Sequence, residues 1–424
     1  MDKATKEKAL RLLGEKRDGG GVTYSDIALE TGYSKRQLIR LSKRLASEGA
    51  DAVLAHGNSG SRPHNAPGRD ELAYLRALKE PYPGVTIAHF RDIFIEDVLE
   101  NPERAGDVER YGLVMRGPTW FRELFLREGW RSPAQRGPRR SADGRQHPMR
   151  RPLPRAGMMA QVDGTPYDWL GTGEAWCMHL GVDDATTSVL GGWFMETECM
   201  RGYARMMREV VTRHGVPRSI YSDKDSVFRA TKDGSPTQFA LMMRDLGVRM
   251  VFANSPQAKG RVERYNSTAQ MRLPTDAVRF GITSYEQLNP WFNEFYAPYL
   301  NTKFPYAPLD PASDFAPLSA GLDLSEVLRT RETRLSRGCT ISYRGWIYMM
   351  ADADGVVLEV PDGAELNVHV DAITEEMYVE RSGRRWTCVP VAKREGRGQV
   401  GVQDRRDLQR LLAEMQQGGG VRKG

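Results

Sequence analysis

Between residues 158 and 300 the chain lays out an order of elements that leaves few folds open. Residues 159–166, 175–182 and 189–195 are apolar, strand-like runs separated by short turns such as Asp183-Asp184-Ala185-Thr186, and they predict an antiparallel meander. A helix is expected over residues 199–214, closed by Gly215-Val216-Pro217. Then come a short strand at 219–222, a helix around 239–246, a strand at 249–252 and a helix starting near Lys259. Three strands, helix, strand, helix, strand, helix describes an α/β layer structure with one sheet and helices packed on it.

Three carboxylates sit at informative points of that order. Asp163 lies inside the first strand, between Val162 and Gly164. Asp223 lies just past the fourth, in Ile220-Tyr221-Ser222-Asp223-Lys224-Asp225, and Glu263 falls in the first turns of the last helix. Singly, each reads as a strand-end cap, a turn residue and a solvated helix residue, because Asp and Glu are usually surface groups. If the first and fourth strands are neighbours, the two aspartates meet at their ends and the helix lays Glu263 across them. Three such carboxylates repel one another and are tolerable together only with divalent cations. Hard oxygen ligands suit Mg²⁺, with Mn²⁺ as a substitute. A pair of such ions about 4 Å apart suits in-line displacement at phosphorus.

The N-terminal residues 1–55 read as a compact helical unit: helices over 4–16, from Tyr24, and over 35–48, with Ser34 as N-cap and Gly49 just past the end. A short helix, a tight turn at Gly32 and a helix with Leu38, Leu41 and Leu45 inward make a helix-turn-helix pattern. Lys35, Arg36, Arg40, Lys43 and Arg44 are left on the outer faces as DNA contacts, or else as the solvated side of a plain three-helix bundle. Residues 66–130 predict a second helical unit with helices near 70–80, 86–99 and 118–128, whose Trp120, Phe121, Leu124 and Phe125 are expected to be core. Residues 131–157 form an Arg/Pro-rich linker. Its stretch 131–155 holds eight arginines, five prolines and one acid, so it cannot bury a core and suits an extended arm along phosphates through Arg139, Arg140, Arg150 and Arg151.

After the central domain, drawn at 158–310, residues 325–392 are strand-like, with strands at 339–343, 345–349, 356–360 and 386–390 and turns at Asp354-Gly355 and Ser382-Gly383. They predict a small C-terminal β-barrel. Residues 393–424 are a polar tail with an amphipathic helix carrying Leu408, Leu411, Leu412 and Met415, fit to dock on another protomer or on its own domain.

Composition narrows the classes. The 424 residues carry 61 basic and 55 acidic side chains, a net charge of +6 that by itself says little about partners. The four cysteines (Cys177, Cys199, Cys339, Cys388) have no Cys-x-x-Cys spacing, and the seven histidines are equally scattered. A disulfide framework or a zinc site is not expected, so any metal is held by oxygen. No apolar run approaches a membrane span and no secretory signal is visible, so a cytoplasmic, nucleoid-associated protein is expected, with no membrane partner.

The motifs Gln161-Val162-Asp163-Gly164, Tyr221-Ser222-Asp223-Lys224 and Ala253-Asn254-Ser255-Pro256-Gln257-Ala258-Lys259-Gly260-Arg261-Val262-Glu263-Arg264 carry a resemblance. The segment resembles the ribonuclease-H-like integrase core of Asp-Asp-Glu transposases and retroviral integrases, and is similar to bacterial insertion-sequence transposases of the ISNCY type. The likeness runs over nearly the whole chain. It implies a multidomain protein with helix-turn-helix units before a ribonuclease-H-like core, and Asp163, Asp223 and Glu263 as catalytic ligands of two Mg²⁺. It also implies double-stranded DNA as substrate, strand cleavage and strand transfer, and at least a homodimer in the working complex. Where some relatives have Lys or Arg seven residues after the glutamate, this chain has Gln270, which shifts the expected DNA contact to Lys259 or Arg264. Two other readings stay open: a DNA-binding regulator that kept the fold without catalysis, and a ribonuclease-H-like nuclease.

Overall fold

The computed structural model describes residues 3–54, 65–133, 151–223, 227–228, 235–252 and 260–393. The chain divides into two compact units, Met1–Leu75 and Arg76–Gly424. In the first, α1 (Lys3–Arg17), α2 (Tyr24–Thr31) and α3 (Lys35–Leu54) close on Ala9, Leu12, Leu13, Ile27 and Leu38. Capping sets the boundaries. Thr23 and Asp26 form a reciprocal capping box at the start of α2, and Gly32 ends it in the left-handed region (φ 71°). Ser34 and Gln37 repeat the box at α3. Gly49, expected to stop α3, instead sits inside it as a non-helical kink (φ 80°), and the helix resumes to Leu54.

The second unit begins within α4 (Arg69–Lys79), followed by α5 (Ile87–Phe94), a π-helical turn Ile95–Leu99, α6 (Ala105–Tyr111) and α7 (Pro118–Glu128). Phe121, Leu124 and Phe125 are buried as expected, and Phe90 meets Phe121, Phe125 and Trp130 edge-on. The short helix α6 was not legible in the sequence.

The central sheet holds β1 (Ala160–Tyr167), β2 (Trp176–Asp183), β3 (Val189–Met195), β4 (Ser219–Ser222) and β5 (Arg249–Phe252) in the order β3-β2-β1-β4-β5. β1 to β3 are antiparallel, and β4 and β5 run parallel to β1. These are the strand order and directions of a ribonuclease-H-like domain. α8 (Met200–Arg213) and α9 (Gln238–Asp245) cover one face, with Val162, Ile220, Tyr203 and Met207 in its core. α10 (Gly260–Arg279), α11 (Tyr285–Trp291), a π-helical turn Phe292–Tyr296 and α12 (Ala297–Lys303) cover the other, packing Val262, Ala269, Leu273 and Phe292 on Met178, Leu180 and Phe194.

The edge strand β3 is closed by side chains. Asn293 and Asn301 exchange both amide bonds with the backbone of Gly192 and Val189, as Asn289 does with Phe194. Three amides at helical spacing thus satisfy backbone groups that an open edge would leave to another chain.

The α10–α12 layer is bolted to α5 and the turn after it. Arg272 and Lys303 pair with Asp92, Arg279 pairs with Glu96 and Asp97, and His89 meets Asp276 with both side chains fully buried.

The C-terminal region starts with α13 (Leu324–Val327). It forms a six-stranded antiparallel sheet of β6 (Arg329–Leu335), β7 (Thr340–Tyr343), β8 (Trp346–Ala351), β9 (Glu365–Asp371), β10 (Met377–Arg381) and β11 (Arg384–Lys393), in the order β6-β9-β10-β11-β8-β7. Its edge strands approach through Tyr343 Oη, which donates to Glu332 Oε1 at 3.2 Å. The strand expected at 356–360 is reduced to one bridge, Ala351 to Val357, because the turn around Asp352 takes up its neighbours. The Ser382-Gly383 turn joins β10 to β11 with both residues at positive φ (53° and 72°), the two-residue hairpin read from sequence. This region packs on the core through Gln238, which exchanges two hydrogen bonds with the backbone of Arg331. The expected tail helix lies outside the described residues.

Candidate active site

Asp163 stands in β1 opposite Leu180 of β2, with its side chain on the α10 face. On its other side β1 pairs with β4 in parallel, Gln161 beside Tyr221. Two residues further along each strand, the same register brings position 163 beside position 223, just past the end of β4. The sequence expectation that these strands are neighbours holds.

α10 is fastened across β1 by a short polar chain. Gln161 is fully buried: its Nε2 donates to Asp184 Oδ1 at 2.6 Å, and its Oε1 accepts the backbone N–H of Val262 at 3.3 Å. Arg261 donates to the same Asp184 oxygen at 2.8 Å. One turn on, Asn266 Nδ2 donates to Asp163 Oδ2 at 2.8 Å. Glu263 therefore projects from the first turn of a helix whose entry is tied to β1 on both sides of it. Neither the bond of Asn266 to Asp163 nor the parts of Asp184 and Arg261 in fastening α10 was read from the sequence. The only signal was Asn266 standing three residues after the glutamate on an otherwise apolar stripe.

Gly164 is explained by its surroundings. A Cβ there would lie 2.6 Å from the Glu198 carboxyl carbon and 2.8 Å from Tyr203 Oη, and Tyr203 donates to Glu198 at 2.5 Å. A Cβ at this position would have to displace the Glu198–Tyr203 pair.

Among the described residues no three His, Cys, Asp or Glu side chains stand close enough together to hold a metal ion. Asp163 and Asp223 are half-buried, whereas Glu263 is exposed on a flexible stem. Bare carboxylates repel, and a cation is what draws such groups inward. The donor set fits Mg²⁺ or Mn²⁺: carboxylate oxygens, and the buried Oδ1 of Asn266, which has no hydrogen-bond partner among the described residues.

The other expected contacts are dispersed. Lys35, Arg36, Arg40, Lys43 and Arg44 are all exposed on α3, and Arg44 is paired with Glu48 at 2.6 Å. Arg264 is exposed next to Glu263, and Arg151 is exposed ahead of β1. Lys259, Arg139, Arg140 and Arg150 lie outside the described residues.

No family profile matches the chain. It is 36% identical over 150 residues to the transposase for insertion sequence IS1202 of Streptococcus pneumoniae, covering 34% of this chain and 32% of that one. It is 30% identical over 328 residues to y4bF of Sinorhizobium fredii, a protein named as a transposase, covering 74% of this chain and 66% of that one. This chain is a relative of insertion-sequence transposases. The two alignments span about a third and about two thirds of those transposases. Among solved structures, the chain is similar to the HTLV-2 integrase catalytic core in complex with magnesium, at 18% identity and a TM-score of 0.27 over 34% of this chain and 87% of that one. It is also similar to the Mos1 strand transfer complex, at 15% identity and a TM-score of 0.22 over 70% of this chain and 95% of that one. Among the described residues of this transposase relative, no helix is long and apolar enough to cross a membrane.

Proposed function

We propose that the chain is a DNA transposase acting on the ends of an insertion sequence. Helix-turn-helix units in residues 1–55 and 66–130 bind the terminal inverted repeats, and the Arg/Pro-rich segment 131–157 follows the phosphate backbone. The core, 158–310, cuts and joins strands; the β domain, a small barrel over 325–392, supports it, and the tail 393–424 reaches a second protomer. Two DNA ends handled together require at least a dimer. The protein works in the cytoplasm on nucleoid DNA.

In this reading Asp163, Asp223 and Glu263 hold two divalent cations. When bound, these supply charge compensation at the reacting phosphate and raise the acidity of the attacking hydroxyl. The chain's own residues do the positioning. Asn266 orients Asp163, and the Gln161, Asp184 and Arg261 chain sets the entry of the helix that bears Glu263. Water opens a phosphodiester at the element end and leaves a 3′-hydroxyl. That hydroxyl then attacks a target phosphodiester, one P–O bond forming as another breaks. No Ser or Tyr nucleophile is needed, since no covalent protein intermediate forms.

The observation that carries the reading is the parallel register that sets position 163 beside position 223, with α10 fastened across the same strand. The test is cleavage and joining of end-containing DNA with Mg²⁺ or Mn²⁺ by wild type and by Asp163→Asn, Asp223→Asn and Glu263→Gln. Loss of at least about 10²-fold in each variant is expected, as for removal of a group that stabilises transition-state charge. Unchanged joining in the variants removes the reading; wild-type protein that binds ends and never cuts them points to a regulator.

A further inference from the structure

A cleft of about 370 Å³ opens at the N-termini of α5 and α7, away from the carboxylates. Its polar lining is mostly hydrogen-bond donors. Arg91 of α5 and Arg122 of α7 both border it, and among the described residues neither has a carboxylate partner; Arg91 donates only its Nε, to the carbonyl of Arg116 at 3.4 Å. The one acid in the wall, Asp92, is engaged with Arg272 and Lys303. Thr86 caps α5 by accepting from His89 N–H, which leaves the first N–H groups of the helix, at Ile87 and Ala88, facing the cleft without intrahelical acceptors. Ser132 lines the same space, is only 7% exposed, and has no hydrogen-bond partner among the described residues.

We propose that this cleft takes one phosphate of a DNA backbone, with its deoxyribose against the apolar wall of Ile87 and Pro118. Two guanidiniums without a carboxylate partner, a helix N-terminus and the Ser132 hydroxyl offer donors to one space, the inverse of a phosphodiester. The volume exceeds a lone phosphate, and the apolar wall suits the sugar carbons that accompany it in a nucleic acid. Position supports the assignment. Asp92 reaches Arg272, nine residues after Glu263 on α10, or about 13 Å along the helix, which is about four base pairs of duplex. One DNA end can touch the cleft and the carboxylates at once. This inference rests on the transposase reading and names a fixed phosphate contact for it.

The test uses the full-length protein and a short blunt duplex of arbitrary sequence, since a phosphate contact is independent of sequence. Binding is measured by fluorescence anisotropy over roughly 50 to 200 mM salt. The Arg91→Ala, Arg122→Ala double variant is expected to reduce the log–log salt slope by about 0.9, one phosphate's worth, and each single variant by no more than that, because both grip one phosphate. Arg91→Lys and Arg122→Lys should keep the slope, and thermal melts of all variants establish folding. An unchanged slope in the folded double alanine variant overturns the proposal. If inorganic phosphate raises the wild-type melting temperature while that slope stays unchanged, the cleft is a small-anion site and the DNA assignment falls. Strand joining by Asp163→Asn, run in parallel, tests the transposase reading separately from this contact.

Discussion

Asn266 Nδ2 donates to Asp163 Oδ2 across the gap between α10 and β1 at 2.8 Å. That bond ties the aspartate's rotamer to the helix that carries Glu263. Partners that orient a ligand typically matter 10- to 100-fold, roughly, in metal affinity or activity. Asn266→Ala is therefore expected to weaken Mn²⁺ affinity, read by calorimetry, by about tenfold or more. Binding at wild-type affinity would show that Asp163 needs no such support.

The His89–Asp276 contact ties α5 to α10 with both groups fully buried, and Tyr296 Oη completes the carboxylate at 2.8 Å. Burial pushes the Asp276 carboxyl up, but the His89 and Tyr296 hydrogen bonds and Arg272 outweigh it, and the net shift is below the ordinary value of 3.8. Its contribution to stability is thus in place above the ordinary carboxylate range and is lost as pH falls through the lowered value. Removing one member of such a pair typically costs about 3 to 5 kcal/mol. Asp276→Ala should lose that much in urea unfolding at neutral pH and show a flatter acid limb than wild type.

His179 is a buried neutral base. Its Nδ1–H donates to Trp193 O at 3.1 Å, its Nε2 accepts from Cys199 N–H at 3.0 Å, and burial pulls it down to about 4. The unfolded chain takes up a proton near 6.5 that the folded chain refuses. Stability should therefore fall as pH drops from about 6.5 to about 4, by up to about 3 kcal/mol at about 1.4 kcal/mol per pH unit, and then level off. His179→Gln should flatten that window in chemical unfolding followed against pH. The same ring explains Gly202, where a Cβ would lie 2.3 Å from it, so Gly202→Ala should cost about 1 to 3 kcal/mol by overpacking.

Asn293 answers both backbone groups of Gly192 on the edge of the central sheet. Asn293→Ala strands a buried donor and acceptor, an expected loss of about 1 to 3 kcal/mol in thermal or urea unfolding. A change within about 0.5 kcal/mol, as for an ordinary surface site, would mean that water replaces the amide.

The sequence by itself determined the elements and their order. Alternating apolar runs set β1 to β3, and the Ser219–Ser222 and Arg249–Phe252 segments matched residue for residue, because turn residues and apolar periodicity are local properties. Capping residues such as Ser34 and Gly32 marked helix ends for the same reason. Where local signals compete, the reading failed. Residues 356–360 look like a strand, yet the turn hydrogen bonds of Asp352 claim the chain there; the charged strand Arg329–Leu335 gave no apolar alternation to read, and the alternation of Leu366, Val368 and Val370 within Glu365–Asp371 went unread. Only the tertiary structure decided the contacts between distant residues: Asn266 with Asp163, Asn293 with Gly192, His89 with Asp276, and the meeting of Arg91 and Arg122 at one cleft. Each joins residues far apart in the chain or on separate elements, so its partner is set by packing and register, which no short window of sequence contains.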